Sequence, residues 1–467
     1  MRRLDLSRRD AGTRARRWDV IVLGGALPGL VAAIRLGQRG HRVLVVEEEA
    51  AARLPAHLRE PFFLGPPGAA GLVDPVLAHT KLALRDRRRL EPDELAYQVV
   101  LPDARVDVGD PATTARELVA WGLDKPETAR ELLGSLVEAA QEQQRILLEA
   151  PLVRRGGLRG LAAPRTGPAG SAGPQLPDAS RGASRLGTFL RAQLRALSNL
   201  GAAEPPPQAR ARLLGSALTG AAHVRTPELG LRRLLRRRLE ELHGELRSVR
   251  TFELVSVDPH PGIAVPLSRE VWLGRVLVLN APLASLADAQ RDAEAPPSPL
   301  LEAAPPPSRR AVWIDVRCDP QVLPEGMASR VIQVVGDADA DEPAVVTLAR
   351  APAANPHDAV PIAVRTVIDP ARTSRDEAHQ RMVDAVRSLM PFSAGRLLER
   401  EHALPRWDDD DALCDPEGPA TWPPELDLRL APRRPIFFLP RAETACLGTE
   451  GDMLLGWRAG DAIAGEL

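Results

Sequence analysis

Six residues near the start of the chain, Gly24-Gly25-Ala26-Leu27-Pro28-Gly29, have the types and spacing to hold an anion. Glu47, further on, stands where a carboxylate could take sugar hydroxyls. In a turn of this kind the backbone N–H groups approach a pyrophosphate. The start of the following helix offers partial positive charge, and an acidic residue ending the next strand binds a ribose. The sequence departs from the G-x-G-x-x-G pattern at Ala26, where a methyl group replaces the middle hydrogen. Pro28 has no N–H to give, although it suits an early helix position.

The surrounding residues supply the elements that such a site needs. Residues 20–23, Val-Ile-Val-Leu, form a short apolar run suited to a strand buried on both faces of a parallel sheet. Residues 30–39 read as the helix, and Gly40 sits where a left-handed cap would end it. Residues 43–46 read as the second strand, which Glu47 closes. Together they predict a dinucleotide-binding βαβ unit, the alternative being an ordinary βαβ unit with no ligand.

Composition bounds the rest. A chain of 467 residues points to two or three domains. With 44% hydrophobic and 26% charged residues it can bury large cores. A formal net charge of −1 argues against nucleic acid as a partner. Aromatic residues make up only 3%, with Tyr97 the sole tyrosine, which works against an aromatic cage. Cys318, Cys414 and Cys446 are far apart and odd in number, so a reducing, cytoplasmic setting is expected. The histidines show no metal spacing, and His79, His223 and His402 are each read as structural. No metal is expected, and no catalytic acid or base stands out.

Residues 1–17 carry seven arginines against two aspartates. They are read as a disordered basic arm suited to weak, peripheral contact with acidic lipid. No A-x-A-like cleavage site follows, so a signal peptide is not expected. The uncharged run 20–34 is broken by Gly and Pro and is too short to cross a membrane.

Beyond the first unit, residues 48–112 are irregular apart from a strand over 97–101. Helices are expected over 113–122, 127–150 and 186–200, with a Gly/Ala/Pro/Ser/Arg loop or lid over 153–186. A helix over 226–243 opens on Thr226 as N-cap and Pro227 as first residue. Its leucines make one stripe, and Arg232, Arg233, Arg236, Arg237 and Arg238 are read as a solvated face. Strands are expected over 252–257 and 272–279, then a Pro/Ala linker over 283–310. Four more strands (311–318, 330–335, 344–349 and 361–368) and a helix over 375–390 suggest an inserted antiparallel domain. The acidic run Asp408 to Asp411 is read as a solvated loop rather than a metal site. Near the end, Gly448-Thr449-Glu450-Gly451 reads as a tight turn running into a terminal helix.

The βαβ unit at the start, together with the glycine turn and helix at the end, resembles the FAD-dependent oxidoreductases of the amine-oxidase and phytoene-desaturase type. Three other stretches are similar to that family. Residues 226–244 look like its P-x-G-G helix segment. Phe252, Glu253, Leu254 and Val255 look like the strand whose backbone meets the adenine. Residues 276–282, ending Asn280-Ala281-Pro282, look like its strand that ends beside the cofactor. The resemblance implies an α/β fold: a Rossmann-like FAD-binding domain with an inserted α+β substrate domain of antiparallel sheet plus helices. The FAD domain would comprise 18–112, 221–290 and 431–467, and the substrate domain 113–220 and 306–430. FAD would be held by residues 24–29, Glu47, residues 252–255, Asn280 and Ala281. Gly451, Asp452 and Met453 would lie at the isoalloxazine end.

The chain departs from the family pattern twice. No Gly-Gly-Arg turn follows Glu47, and Arg441-Ala442-Glu443 stands near the place of the family's Gly-Asp. The resemblance implies an FAD-dependent dehydrogenase, desaturase or oxidase removing a hydride from a mostly apolar small molecule. Two alternatives remain: a non-catalytic relative acting as a binding or assembly module, and a simple NAD-dependent dehydrogenase.

Overall fold

Two sheets organise the molecule. Its computed structural model describes residues 1–3, 14–154, 174, 176, 184–225, 230–292, 301, 308–336, 344–353, 355, 357–418, 421–430 and 434–467. The first sheet runs in the order Arg2–Arg3, Glu253–Val257, His260–Val265, Glu270–Leu279, Arg14–Leu23, Val43–Glu48 and Glu245–Val249. Ile436–Phe438 pairs with Glu270–Leu279 off this path. Arg14–Leu23 has parallel neighbours on both sides. Helices then cover its faces, which is why residues 20–23 are apolar and fully buried. On one face lie the helices Leu27–Gln38, Leu231–Glu241 and Gly448–Ala464. On the other, Ile21, Leu23, Leu44 and Val46 pack with Phe252, Trp272 and Trp407.

The second sheet runs Leu397–Arg400, Arg310–Cys318, Val360–Ile368, Ala344–Arg350, Arg330–Val335, Tyr97–Leu101 and Ala104–Val108. The four strands and the helix expected after residue 310 are present, the helix as Arg375–Leu389 on one face. Helices Pro126–Glu149, Arg185–Leu197 and Pro207–Leu218 pack against the other. The sheet is antiparallel except where Arg330–Val335 runs parallel to Tyr97–Leu101.

Several expectations need correction. The division at residue 112 comes too late, because Tyr97–Leu101 and Ala104–Val108 complete the second sheet. Residues 1–17 are not all a free arm. Arg2–Arg3 pair in parallel with Val255 and Ser256, and Arg14–Arg17 extend the central strand. Arg2 and Arg16 find carboxylates there, Glu253 at 3.0 Å and Glu270 at 2.9 Å, so extended arginines are stabilised at the sheet. Residues 4–13 lie outside the described residues. The linker expected over 283–310 begins as a helix, Leu283–Asp292, because Leu286, Ala287 and Ala289 bury against the first sheet. Most of the 153–186 loop and the Thr226-Pro227 cap lie outside the described residues. Among the described residues no helix is long and apolar enough to cross a membrane. The three cysteines are unbonded.

Candidate functional site

Gly24 turns the chain at φ 108° as it leaves the central strand. Its neighbour in space is Asn280, delivered by the adjacent parallel strand. The Asn280 backbone N–H donates to the Leu23 carbonyl at 2.8 Å. The side-chain amide donates to the carbonyls of Gly24 and Ala26 at 3.0 and 3.2 Å. A Cβ on Gly24 would strike the Asn280 backbone, so glycine is required here by conformation and by space. The helix begins at Leu27 with Pro28 in its first turn, and Ala26 supplies no side-chain cap.

Glu47 is the penultimate residue of the strand Val43–Glu48, one short of the end expected, and lies over the same turn. A Cβ on Gly25 would sit 2.6 Å from the Glu47 Cγ and Oε1. The turn and the carboxylate are therefore brought together. The carboxylate already has partners, however. Arg232 Nη2 donates to Oε1 at 3.0 Å, Arg236 Nη2 lies 3.2 Å from Oε2, and Arg59 is 3.9 Å away. The arginines of the Leu231–Glu241 helix are thus not uniformly solvated. Arg232 and Arg236 flank the leucine stripe one helical turn apart, which carries both to Glu47.

The acidic run is also corrected. Asp408 is fully buried, and Asp410 and Asp411 are largely enclosed. Glu48 anchors the segment by accepting the N–H groups of Arg406, Trp407 and Asp408 at 2.8, 2.9 and 3.2 Å. Asp410 bridges Arg59 at 2.6 Å and Arg232 at 2.7 Å, while Asp411 pairs with Arg365 at 2.9 Å. Burial works against the charge on Asp410, but Arg232 and Arg59 overcome it and hold its pKa below the usual range. Burial, opposed by Arg59 and reinforced by Glu47, pushes Asp408 up to about 6.

At the other end of the chain the turn is narrower than expected. Gly448 alone has positive φ, 55°, and Gly451 already lies within the helix Gly448–Ala464. Gly451 faces the Thr444 carbonyl, so it serves helix packing. Asp452 is buried and paired with Arg441 through two bonds of 3.0 and 2.8 Å. Met453 is fully buried in the core beneath the first helix. Glu450 forms a buried two-bond pair with Arg212 at 2.7 and 2.6 Å. The cleft between these parts has a volume of about 110 Å³ and is lined by Leu27, Arg59, Asp410, Leu447, Thr449 and Asp452, among others.

Of the residues expected at a cofactor, the structure brings together Gly24 to Gly29, Glu47 and Asn280, with Ala281 buried beside them. It does not bring Phe252, Glu253, Leu254 and Val255 to the cleft. The strand beside Val43–Glu48 is Glu245–Val249, and Glu253–Val257 lies on the far side of the sheet. Phe252 instead packs edge-on against Trp407 at 5.2 Å, and Glu253 pairs with Arg2. Arg59 and Glu48 escaped the sequence reading, and Arg232, Arg441 and Asp410 were given no place at a cofactor. Four successive acids beside a tryptophan in an arginine-rich chain were the available signal.

The three histidines read as structural have partners consistent with that. His79 stacks on Trp457 at 4.0 Å, His223 reaches Asp93 at 2.8 Å, and His402 reaches Asp315 at 2.8 Å. Among the described residues no group of three or more His, Cys, Asp or Glu is placed to hold a metal ion.

The same architecture is found in solved structures. A putrescine oxidase variant from a redesign of cofactor binding is similar with a TM-score of 0.53 and 13% identity, over 97% of this chain and 100% of that one. An oxidoreductase from Methanosarcina mazei gives 0.53 and 13%, over 94% and 99%. A protein from Pyrococcus furiosus gives 0.51 and 13%, over 96% and 97%. The mixed α/β fold is thus shared with putrescine oxidase over 97% of this chain. No family model matches the sequence, and no curated protein matches it.

Proposed function

We propose that the chain is a flavin-dependent oxidoreductase that binds FAD non-covalently and takes a hydride from a mostly apolar small molecule. The observation that carries this reading is the meeting of the Gly24–Gly29 turn, a helix N-terminus and Glu47 in one place.

The residues present suit the group. The helix start and the guanidinium groups of Arg59 and Arg232 form a donor set matched to a diphosphate. Arg59 Nη2 and Asn280 Oδ1 are buried without a hydrogen-bond partner, so polar capacity is left over at the turn. Glu47 would take the ribose, Asn280 holds the turn in shape, and Leu447 and Thr449 line the cleft at the start of the C-terminal helix. When bound, FAD supplies a ring that accepts the hydride. Asp410 competes with a diphosphate for Arg59 and Arg232, so the acidic segment must yield as the cofactor enters. The unbonded cysteines fit a reducing compartment such as the cytoplasm.

A second reading, a binding or assembly module with weak or no flavin, is favoured by two observations. The Glu47 carboxylate is occupied by Arg232 and Arg236, and the cleft is smaller than the roughly 300–1,000 Å³ of ordinary ligand pockets. The visible spectrum of the purified protein separates the two, with the cofactor identified after denaturation. A bound flavin supports the oxidoreductase. A colourless protein whose unfolding temperature does not move when FAD is added supports the module.

A further inference from the structure

Glu60 and Pro61 form a partition. On one side lies the cleft described above, and on the other a larger cavity of about 410 Å³. That volume falls within the range of small-molecule sites. Leu64, Val224, Leu323 and Val360 contribute apolar walls.

The two arginines of this cavity differ in kind. Arg330 is satisfied: it donates to Asp93 at 2.7 Å and to the carbonyls of Ala222 and Ala96 at 2.7 and 3.3 Å. Arg350 is not. Its Nη2 reaches only the Met327 carbonyl, at 3.3 Å, and no carboxylate of the described residues pairs with it. A guanidinium carries five N–H donors, so most of those on Arg350 are left without a protein acceptor. Desolvation lowers its pKa, and the neighbouring Cys318 thiol offsets this only in part. A half-buried cation without a counter-ion beside apolar walls suits an anion.

We infer that this cavity binds a small amphipathic monocarboxylate, its carboxylate on Arg350 and its aliphatic body along Leu64, Val224, Leu323 and Val360. A single unpaired cation matches a single negative charge. Glu60 and Asp93 in the same lining oppose a dianion such as phosphate. An ammonium head finds no free carboxylate at Asp93, which already serves Arg330 and His223. Arg350 lines this cavity and not the cleft of Arg59, and the two share only Glu60 and Pro61.

The test is calorimetric titration of the purified protein with octanoate, octan-1-ol and octylamine in parallel. Octanoate should saturate one site and bind at least about tenfold more tightly than either analogue, as a charge-assisted hydrogen bond requires. Arg350→Gln should weaken octanoate by a similar factor and leave octan-1-ol unchanged, and Arg350→Lys should recover part of the loss. No octanoate binding to the parent, or equal affinity for octan-1-ol, would overturn the assignment. So would unchanged octanoate affinity in folded Arg350→Gln. If that variant fails to fold, the three-probe comparison on the parent still decides. A flavin-free protein that binds octanoate keeps this inference while removing the cofactor reading.

Discussion

Asn280 shapes the glycine turn from outside it. Both carbonyls it serves, on Gly24 and Ala26, belong to buried residues, and Asn280 itself is buried. Removing the amide leaves the Gly24 carbonyl unpaired, while the Ala26 carbonyl keeps the Leu30 N–H at 3.2 Å. An unsatisfied buried group costs about 1–3 kcal/mol. Asn280→Ala should therefore lose about 1–3 kcal/mol of stability in urea unfolding. A loss under about 0.5 kcal/mol, the usual range of a surface change, would mean that the turn holds itself. This much was legible in the sequence. The strand and the glycines carry a local signal, because the turn needs positive φ and close approach at fixed positions, and Asn280 was reached through the family resemblance. The partners of Glu47 were not legible. Arg232 is 185 residues away, and a charge read alone defaults to solvent. Only the packing of the Leu231–Glu241 helix against the first helix decides which of five arginines turns inward.

At the scale of elements, the strands and helices with strong periodicity were predicted to within a few residues, as for Arg330–Val335 and Arg375–Leu389. The run Asp408 to Asp411 was misread for a physical reason. Four acids in a row normally repel one another into water, and here the guanidinium groups of Arg59, Arg232 and Arg365 and the main chain beside Glu48 reverse that. The reversal is incomplete, and it sets a pH dependence. Burial pushes Asp408 up to about 6 and Asp409 up to about 7, against an ordinary value of 3.8. Between these values the folded chain holds protons that the unfolded chain has released. Stability should therefore fall as pH rises from about 4 to 7. Asp410, held low, contributes in the opposite sense, and its contribution is lost only as pH falls below the ordinary carboxyl range. Urea midpoints at pH 5 and pH 7.5 should differ in favour of pH 5, and Asp408→Asn should shrink the difference. A profile that is flat, or unmoved by Asp408→Asn, would show that these carboxyls are not enclosed.

For the whole molecule, the central fact is that the two ends of the chain meet at the site. The first helix, which carries the glycine turn, lies against the last helix, whose N-terminus lines the cleft. Gly456 and Gly460, four residues apart on one face of the last helix, allow that contact. A Cβ on Gly456 would sit 2.5 Å from the Pro28 carbonyl and 2.7 Å from the Val31 Cβ. One on Gly460 would meet the Arg35 Cβ at 2.7 Å. Arg35 then ties the helices with a hydrogen bond of 2.9 Å from Nε to Asp461. Because Pro28 belongs to the turn, a wedge at Gly456 would separate the helices and deform the candidate anion site together. Gly456→Val should therefore cost about 3 kcal/mol, the upper part of the range for overpacked cores. Gly465→Ala is the control, since its Cβ meets nothing closer than 3.4 Å. Calorimetric unfolding of the two variants beside the parent checks the contact. Equal midpoints for Gly456→Val and the parent would mean that the chain ends are not packed in this way, and the junction of turn, Glu47 and C-terminal helix would lose its support.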